Sequence, residues 1–249
     1  MLLVWPLGDD GPPAARPLAT SGLIVTCLVA SLWLWSLPST AVPAVLLQLG
    51  LVPAELLGHW RVPAGSAEPA SRLAPLTSLF LHAGWLHLLA NLAYLWLFGR
   101  GLETALGPWR LLALFLIAGL AGELAQSLAV ANSHLPMIGA SGGTAGLLGA
   151  YLLLFPRANI LTLAVLWRRS AVIGIPALLV IGVWLALELA SLHAPDQEAG
   201  GTAAIAHLAG FVTGLVLIAI VRPNGMPLLQ PARSRAFAIT RRRDQVPQI

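Results

Sequence analysis

The chain has 249 residues, of which 57% are hydrophobic and only 10% are charged, and its mean hydropathy is +0.82. Soluble domains carry roughly 25% charged residues, so the composition indicates a membrane protein. The net charge of +4 is the balance of 14 arginines against 10 acidic residues. The arginines are scattered along the chain with no basic helix to carry them, so we expect no nucleic-acid partner.

The N-terminal segment, residues 1–18, begins MLLVWPLGDDGPP. It lacks the basic start and the long apolar core of a signal peptide. We therefore predict a short, loosely ordered cytoplasmic tail. The single cysteine, Cys27, excludes a disulfide within the chain.

Six apolar windows approach the roughly 20 residues that a membrane-spanning helix needs. They are 19–37, 82–99, 109–130, 141–155, 171–192 and 203–221. The fourth window, SGGTAGLLGAYLLLF, is short, so we expect one end of its helix to lie inside the protein below a water-filled cavity. The predicted fold is an all-α, polytopic six-helix membrane domain over residues 19–222, with a short central fourth helix.

Two segments outside the windows complete the predicted organisation. Residues 38–81 mix apolar pieces with prolines, which favours short helices at the membrane interface. Residues 223–249 carry six of the arginines if Arg222 is counted with them, and are predicted to be a basic cytoplasmic tail.

The distribution of arginine predicts the orientation. With both termini in the cytoplasm, twelve of the fourteen arginines lie inside and only Arg61 and Arg72 lie outside. Short cytoplasmic loops carry an excess of basic residues, so this asymmetry favours an even number of spans. The alanine- and leucine-rich, lysine-free composition suggests, by association alone, a bacterial inner membrane.

Polar residues in the apolar windows are costly and call for a partner or a function. His87 and Asn91 are four residues apart in the second window and share one helix face. Ser141 begins the fourth helix, where backbone N–H groups and the helix dipole stabilise an anion. The flanking Gly139 and Gly142 allow close approach of backbone or substrate.

The sixth window places His207, Gly210 and Gly214 on one face. Glycines at this spacing mark close helix contact in membranes, and contact with the glycine-rich fourth helix would bring His207 to Ser141. A serine beside a histidine is a nucleophile beside its base. With His87, Asn91 and the Ser141 N–H as oxyanion donors, these features predict an acyl-transfer site.

The motifs HAGWLHLLAN, GASGG and AHLAGFVTG, in this order on the second, fourth and sixth windows, resemble the rhomboid family of intramembrane serine proteases. The resemblance covers roughly residues 70–222. It implies a dyad of Ser141 and His207 with no acidic third member, an oxyanion site of His87, Asn91 and the Ser141 N–H, and no cofactor or metal. It also implies that the substrates are single-span membrane proteins cut near the outer end of the span.

The chain departs from the family pattern at two places. The Trp-Arg pair expected shortly before the second window is replaced by Leu73 and Ala74, with Arg72 displaced. Ala145 stands where members carry an aromatic residue four positions after the serine. In GRGLETALG, which resembles the family turn after the second window, Glu103 takes the acidic position.

The sequence leaves several roles open. His82 either hydrogen-bonds the outer loop or assists the oxyanion site. For Glu123 and Glu188 three roles stay open: a hydrogen bond between helices, a place beside a water-filled cavity, or a part in the protein's activity. No spacing pairs either residue with the serine site. The segment 191–203 has the composition of a mobile flap, and with Trp184 on the fifth window it is predicted to form a lateral gate.

Two other functions stay open on the sequence alone. A rhomboid-like pseudoprotease would bind membrane helices without cutting them. A small transporter would use the intramembrane carboxylates and histidines, although the chain shows no internal repeat. The six histidines show no zinc-protease spacing, and the sequence does not indicate an oligomeric state.

Overall fold

The computed structural model describes residues 2–11, 16–60, 72–166, 169–192 and 204–241. The elements within these ranges are, in chain order, β1 (Leu2–Asp9), α1 (Leu18–Ser36), α2 (Val42–Leu49), α3 (Pro53–Leu56), α4 (Ala74–Thr77), α5 (Trp85–Tyr94), α6 (Arg100–Leu106), α7 (Pro108–Ala129), α8 (Ser141–Leu154), β2 (Asn159–Leu166), β3 (Arg169–Pro176), α9 (Ala177–Ser191), α10 (Ala204–Val221) and β4 (Ile239–Arg241). A 3₁₀ turn (Ser78–Phe80) follows α4, and a π-helical turn (Leu95–Gly99) joins α5 to α6.

Three helices in these ranges are long and apolar enough to cross a membrane, namely α1 with 19 residues, α7 with 22 and α10 with 18. The count rises to four if Ala74–Phe80 and Trp85–Leu106, bent by 92° relative to each other, form one broken span. Helices α8 and α9 are apolar but shorter. Each of the six predicted windows thus contains a helix, whereas six membrane crossings stay a prediction.

Helix α8 lies between α7 and α10, and every residue from Gly142 to Tyr151 is buried. A Cβ on Gly210 of α10 would collide with the carbonyl oxygen of Gly142, and one on Gly214 would collide with that of Gly146. Small residues let helix backbones approach this closely. The glycine contact predicted between the fourth and sixth windows is therefore present.

Glu103, on α6 just after the second window, joins this segment to the start of α1. Its carboxylate accepts hydrogen bonds from the backbone N–H groups of Ala19 and Thr20, both at 2.8 Å, and from the Thr20 hydroxyl at 2.7 Å. A carboxylate at a helix N-terminus satisfies free N–H groups and complements the helix dipole. The acidic residue singled out by the family resemblance thus has a structural role in the described part of the chain.

A four-stranded antiparallel sheet, in the order β1–β2–β3–β4, corrects the all-α prediction. Strand β1 forms within the segment predicted to be a loosely ordered tail. Strand β3 takes the beginning of the predicted fifth window, so α9 starts at Ala177, directly after Pro176. The physical reason is that a short apolar run suits a buried strand as well as a helix. In addition, β1 and β4 pair with strands far away in sequence.

The segment between the first two windows contains the short helices α2, α3 and α4, as predicted, in its described part. Leu51 exchanges two backbone hydrogen bonds, of 3.0 and 2.8 Å, with Met137. This pairing fastens the outer segment to the loop that precedes α8. Arg61, which follows Trp60 far upstream of the family's Trp-Arg position, lies outside the described residues, and Arg72 is exposed.

Candidate active site

Ser141 is the first residue of α8, and the backbone before it is tightly held. Gly139 has a φ of +134°, which glycine adopts at little cost, and its N–H donates to the Ser78 carbonyl oxygen at 2.9 Å. The half-buried Ser141 therefore stands at a fixed helix N-terminus, where free backbone N–H groups favour an anion.

His87 and Asn91 lie on α5, one turn apart, as the spacing predicts. A Cβ added to Gly139 would lie 2.8 Å from His87 Nε2 and 3.6 Å from Ser141 Oγ, so the imidazole and the hydroxyl both border this glycine. Asn91 is buried, and its amide nitrogen donates to the His87 carbonyl oxygen at 3.0 Å. A side chain larger than hydrogen at position 139 would displace the His87 ring.

His207 lies on α10, and its Nδ1 is 2.9 Å from Glu188 Oε2 on α9. The two side chains are 16% and 14% exposed. Because an ionised carboxylate accepts and does not donate, a hydrogen bond between Nδ1 and an ionised Glu188 requires the proton to be on Nδ1. The sequence left the role of Glu188 open, and the structure pairs its carboxylate with His207.

One cavity of about 610 Å³ brings the predicted residues together. Its lining includes Ser141, His207, His87, Asn91 and Trp184, which come from α5, α8, α9 and α10. Ala145 also lines it, and among the described rings none stacks on His207. Within the described residues no hydrogen bond joins Ser141 to His207, although both face this cavity. Catalytic hydrogen bonds are often long before substrate binds.

His82 lies outside the cavity lining and is fully buried. Its Nδ1 is 3.0 Å from the Ser31 hydroxyl of α1, and its carbonyl oxygen accepts a hydrogen bond from Trp35 Nε1 at 3.0 Å. Its ring packs edge-on against His87, with centroids 4.9 Å apart. His82 thus joins α1 to the start of α5 and contacts the candidate oxyanion histidine from outside the cavity.

Gly142 and Glu123 contribute to helix packing in the described structure. Gly142 lies against Gly119 of α7 and Ala206 of α10. Glu123 of α7 accepts a hydrogen bond from the Ser78 hydroxyl and does not line the cavity. Of the two intramembrane carboxylates, Glu123 therefore joins helices and Glu188 faces the site.

The sequence reasoning missed Gln126 and Tyr94, which also line the cavity. Gln126 Oε1 accepts the backbone N–H of Ala206 at 3.2 Å, and so holds the first turn of α10 beside His207. Gln126 could have been found from the sequence, because it is a polar residue in an apolar window, three residues after Glu123, and polar groups in such windows need partners. The predicted flap at 191–203 lies mostly outside the described residues.

The fold and the site together define a class of protein. It is a helical membrane domain in which a short central helix presents a serine to a cavity lined by histidines. The family model for the rhomboid domain matches residues 71–224. This is more than half of the chain, and the chain belongs to the rhomboid family. It is an integral, multi-pass membrane protein.

Curated relatives agree with this assignment. The chain is 33% identical over 159 residues to RHOMBOID-like protein 5 of Arabidopsis thaliana, covering 63% of this chain and 47% of the relative. It is 36% identical over 98 residues to the mitochondrial Rhomboid protein 1 of Saccharomyces cerevisiae, covering 36% and 28%. It is 43% identical over 76 residues to Rhomboid-like protease 5 of Toxoplasma gondii, covering 29% and 8%.

The chain spans less than half the length of these relatives. Their activities therefore do not transfer to it as a whole. None of the three organisms is a bacterium, so the predicted bacterial inner membrane has no support from these relatives.

Proposed function

We propose that this protein is an intramembrane serine protease that hydrolyses peptide bonds in or near the transmembrane segments of membrane proteins. The observation that carries the proposal is the shared cavity, to which separate helices bring Ser141, His207, His87 and Asn91. Nucleophile, base and oxyanion donors are the groups that acyl transfer requires.

The arrangement supports a two-stage reaction. His207 Nε2 takes the hydroxyl proton while Ser141 Oγ attacks the peptide carbonyl carbon, and the carbonyl electrons move onto oxygen. The Ser141 N–H, His87 and Asn91 would stabilise that oxyanion. His207 then returns the proton to the leaving amine as the C–N bond breaks. Water, activated in the same way, hydrolyses the ester and restores the serine.

The substrate class follows from the membrane setting. A single-span membrane protein would reach the cavity sideways from the lipid bilayer, where α9 and Trp184 border it. Such a segment must unwind locally, because the hydrogen bonds of a regular helix shield its peptide groups. We therefore propose substrates whose spans unwind easily, with no cofactor or metal required.

Removal of the Ser141 hydroxyl tests the proposal. Ser141→Ala should lower cleavage of a single-span test substrate by more than about 10³-fold, because deleting a catalytic nucleophile removes most of the rate enhancement. Its thermal midpoint in detergent should change little, since the side chain is small and borders open space. Fluorophosphonate labelling should occur with the unaltered protein and be absent from the variant.

A matched control is Ser127→Ala. Ser127 is a fully buried serine of α7, and its hydroxyl has no partner within the described residues. The same chemical change there should leave cleavage and labelling intact. Full proteolysis by Ser141→Ala would sink the assignment of the nucleophile.

The pseudoprotease is kept as a second candidate because no hydrogen bond joins Ser141 to His207 in the described structure. Such a protein would bind transmembrane helices without cutting them. It predicts that the unaltered protein neither reacts with a fluorophosphonate nor cleaves any single-span substrate, while a substrate helix still copurifies with it.

A further inference from the structure

Glu188 is an ionisable residue on an otherwise apolar helix, and its side chain is mostly buried. Helix α9 buries only Ala177 and Ile181, and Leu187 and Leu189, which flank Glu188 in sequence, are both exposed. An ionisable group on an apolar membrane helix is costly unless it is paired. Glu188 meets this requirement by turning into the cavity, where its Oε2 lies 2.9 Å from His207 Nδ1.

This contact fixes the chemistry of the imidazole. With its Nδ1 proton donated to Glu188, a neutral His207 has its lone pair on Nε2, the nitrogen that must accept the serine proton. When that proton arrives, the carboxylate faces the resulting imidazolium. In serine hydrolases with a triad, the acidic member performs these two tasks: it selects the tautomer and stabilises the cation.

We propose that Glu188 is a positioning residue that orients His207 and selects its reactive tautomer. This role rests on the proposed protease function. It replaces the dyad without an acidic member by a Ser141–His207–Glu188 relay that spans α8, α10 and α9. The other titratable groups in the cavity lining are His87 and Tyr94, both on α5, so Glu188 is the single carboxylate among the described lining residues.

A purely mechanical role makes different predictions. Trp184 of α9 packs on Phe211 of α10 with ring centroids 5.7 Å apart, and the Glu188–His207 bond could simply add a second fastening between these helices. Loss of a fastening would loosen α9, admit membrane substrates faster, and leave the reactivity of Ser141 toward a small reagent unchanged. Loss of a positioning group would slow the chemistry for every reagent.

The decisive comparison uses Glu188→Gln and Glu188→Asp in the full chain, in detergent and in vesicles. Glu188→Gln should lower kcat for a single-span substrate roughly ten- to hundredfold with KM changed less than about twofold. This is less than the roughly 10²–10⁴ that the acid–base group itself typically contributes, because His207 remains in place. Fluorophosphonate labelling should slow in parallel. Glu188→Asp should recover part of the loss, because it restores the carboxylate at a greater distance.

A matched control and a spectroscopic readout accompany these rates. Glu123→Gln makes the same change to a buried carboxylate outside the cavity and should preserve kcat and labelling. In protein with ¹⁵N-labelled histidine, one resonance set should vanish in His207→Ala and report an Nδ1–H tautomer in the unaltered protein. That tautomer should be lost or depleted in Glu188→Gln.

Unchanged or faster fluorophosphonate labelling of Glu188→Gln would overturn the positioning role, as would an Nε2–H tautomer of His207 in the unaltered protein. An unaltered protein that neither cleaves nor labels would overturn the protease function and this role with it. Full cleavage by the unaltered protein together with full cleavage by Glu188→Gln would overturn the role alone. Thermal midpoints of both variants show whether a loss reflects unfolding.

Discussion

At the residue scale, Asn91 is a proposed oxyanion donor whose side chain is already held by its own helix. One of its two amide hydrogens is used by the His87 carbonyl oxygen on the same helix. The other remains for an oxyanion in the cavity that Asn91 lines. The first bond orients the side chain without a contribution from substrate, and such preorganisation gives an oxyanion donor its effect.

Asn91→Ala and His207→Ala should therefore differ in severity. Loss of one oxyanion donor should reduce kcat by at most about 10²–10³, because the Ser141 N–H and His87 remain. His207→Ala should abolish turnover, because a neutral serine needs a base. Steady-state cleavage in detergent measures both. If Asn91→Ala folded normally and were as inactive as Ser141→Ala, the ranking of these residues would be wrong.

Residues in short motifs were predictable, and Glu188 was not. Ser141 sits in GASGG and His207 beside helix-packing glycines, so local sequence located both within the cavity that the structure shows. Glu188 belongs to a helix that is apolar all round, and its sequence has no stripe to show which face turns inward. Its contact with His207 depends on how α9 packs against α10, and this tertiary packing cannot be read from the local sequence.

At the scale of elements, α9 is attached to its neighbours more weakly than α8 is. Two of its residues are buried, whereas the interior of α8 is continuously buried. Near the site, α9 meets α10 through Trp184 on Phe211 and through Glu188 on His207. Elements with few buried contacts open at the lowest free energy. We therefore predict that α9 moves to admit a substrate.

Shortening Trp184 should ease that movement. Trp184→Ala removes the packing on Phe211 while leaving Glu188 in place, so cleavage of a single-span substrate in vesicles should rise several-fold. The rate of labelling by a fluorophosphonate should stay the same, because a small reagent can reach Ser141 without the opening that a transmembrane helix needs. Slower cleavage by a folded variant would mean that the indole binds substrate and does not obstruct it.

A reversible cross-link tests the same gate from the opposite direction. Ala90→Cys on α5 and Trp184→Cys on α9, both at the cavity, can be bridged by a reducible bifunctional reagent in a Cys27→Ala background. Bridging should slow cleavage of the membrane substrate, and reduction should restore it. Each single-cysteine protein, treated alike, is the control. Unchanged cleavage by the bridged protein would exclude access between α5 and α9.

Helices were predicted better than strands for a physical reason. A run of about 20 apolar residues has few alternatives to a membrane helix, so α1, α7 and α10 were located from composition. The apolar residues of β3 adjoin those of α9 without a polar break, and hydropathy merged them into one window. The pairing of β1 with β2 joins segments about 150 residues apart, which no local pattern reports.

At the scale of the whole molecule, the sheet constrains the membrane topology. It joins the strand that precedes α1, the two strands between α8 and α9, and the strand that follows α10. Asp10 reinforces this junction by accepting hydrogen bonds from Asn159 at 3.0 and 3.1 Å. Since paired strands lie on one side of the membrane, α1 must begin, and α10 must end, on that same side.

We predict that the side of the membrane on which the sheet lies is the cytoplasmic side. The arginine asymmetry places the sheet in the cytoplasm, so in the Cys27→Ala background the replacements Leu7→Cys and Arg235→Cys, both at exposed positions, should react with an impermeant maleimide only after cells are permeabilised. His134→Cys, exposed between α7 and α8, should react in intact cells. If Leu7→Cys and Arg235→Cys reacted in intact cells and His134→Cys only after permeabilisation, the sheet would lie outside the cell. That result would agree with the sheet but contradict the orientation predicted from the arginines. Labelling of Leu7→Cys and Arg235→Cys from opposite sides would contradict the sheet itself, because strands paired through β2 and β3 cannot be separated by a bilayer.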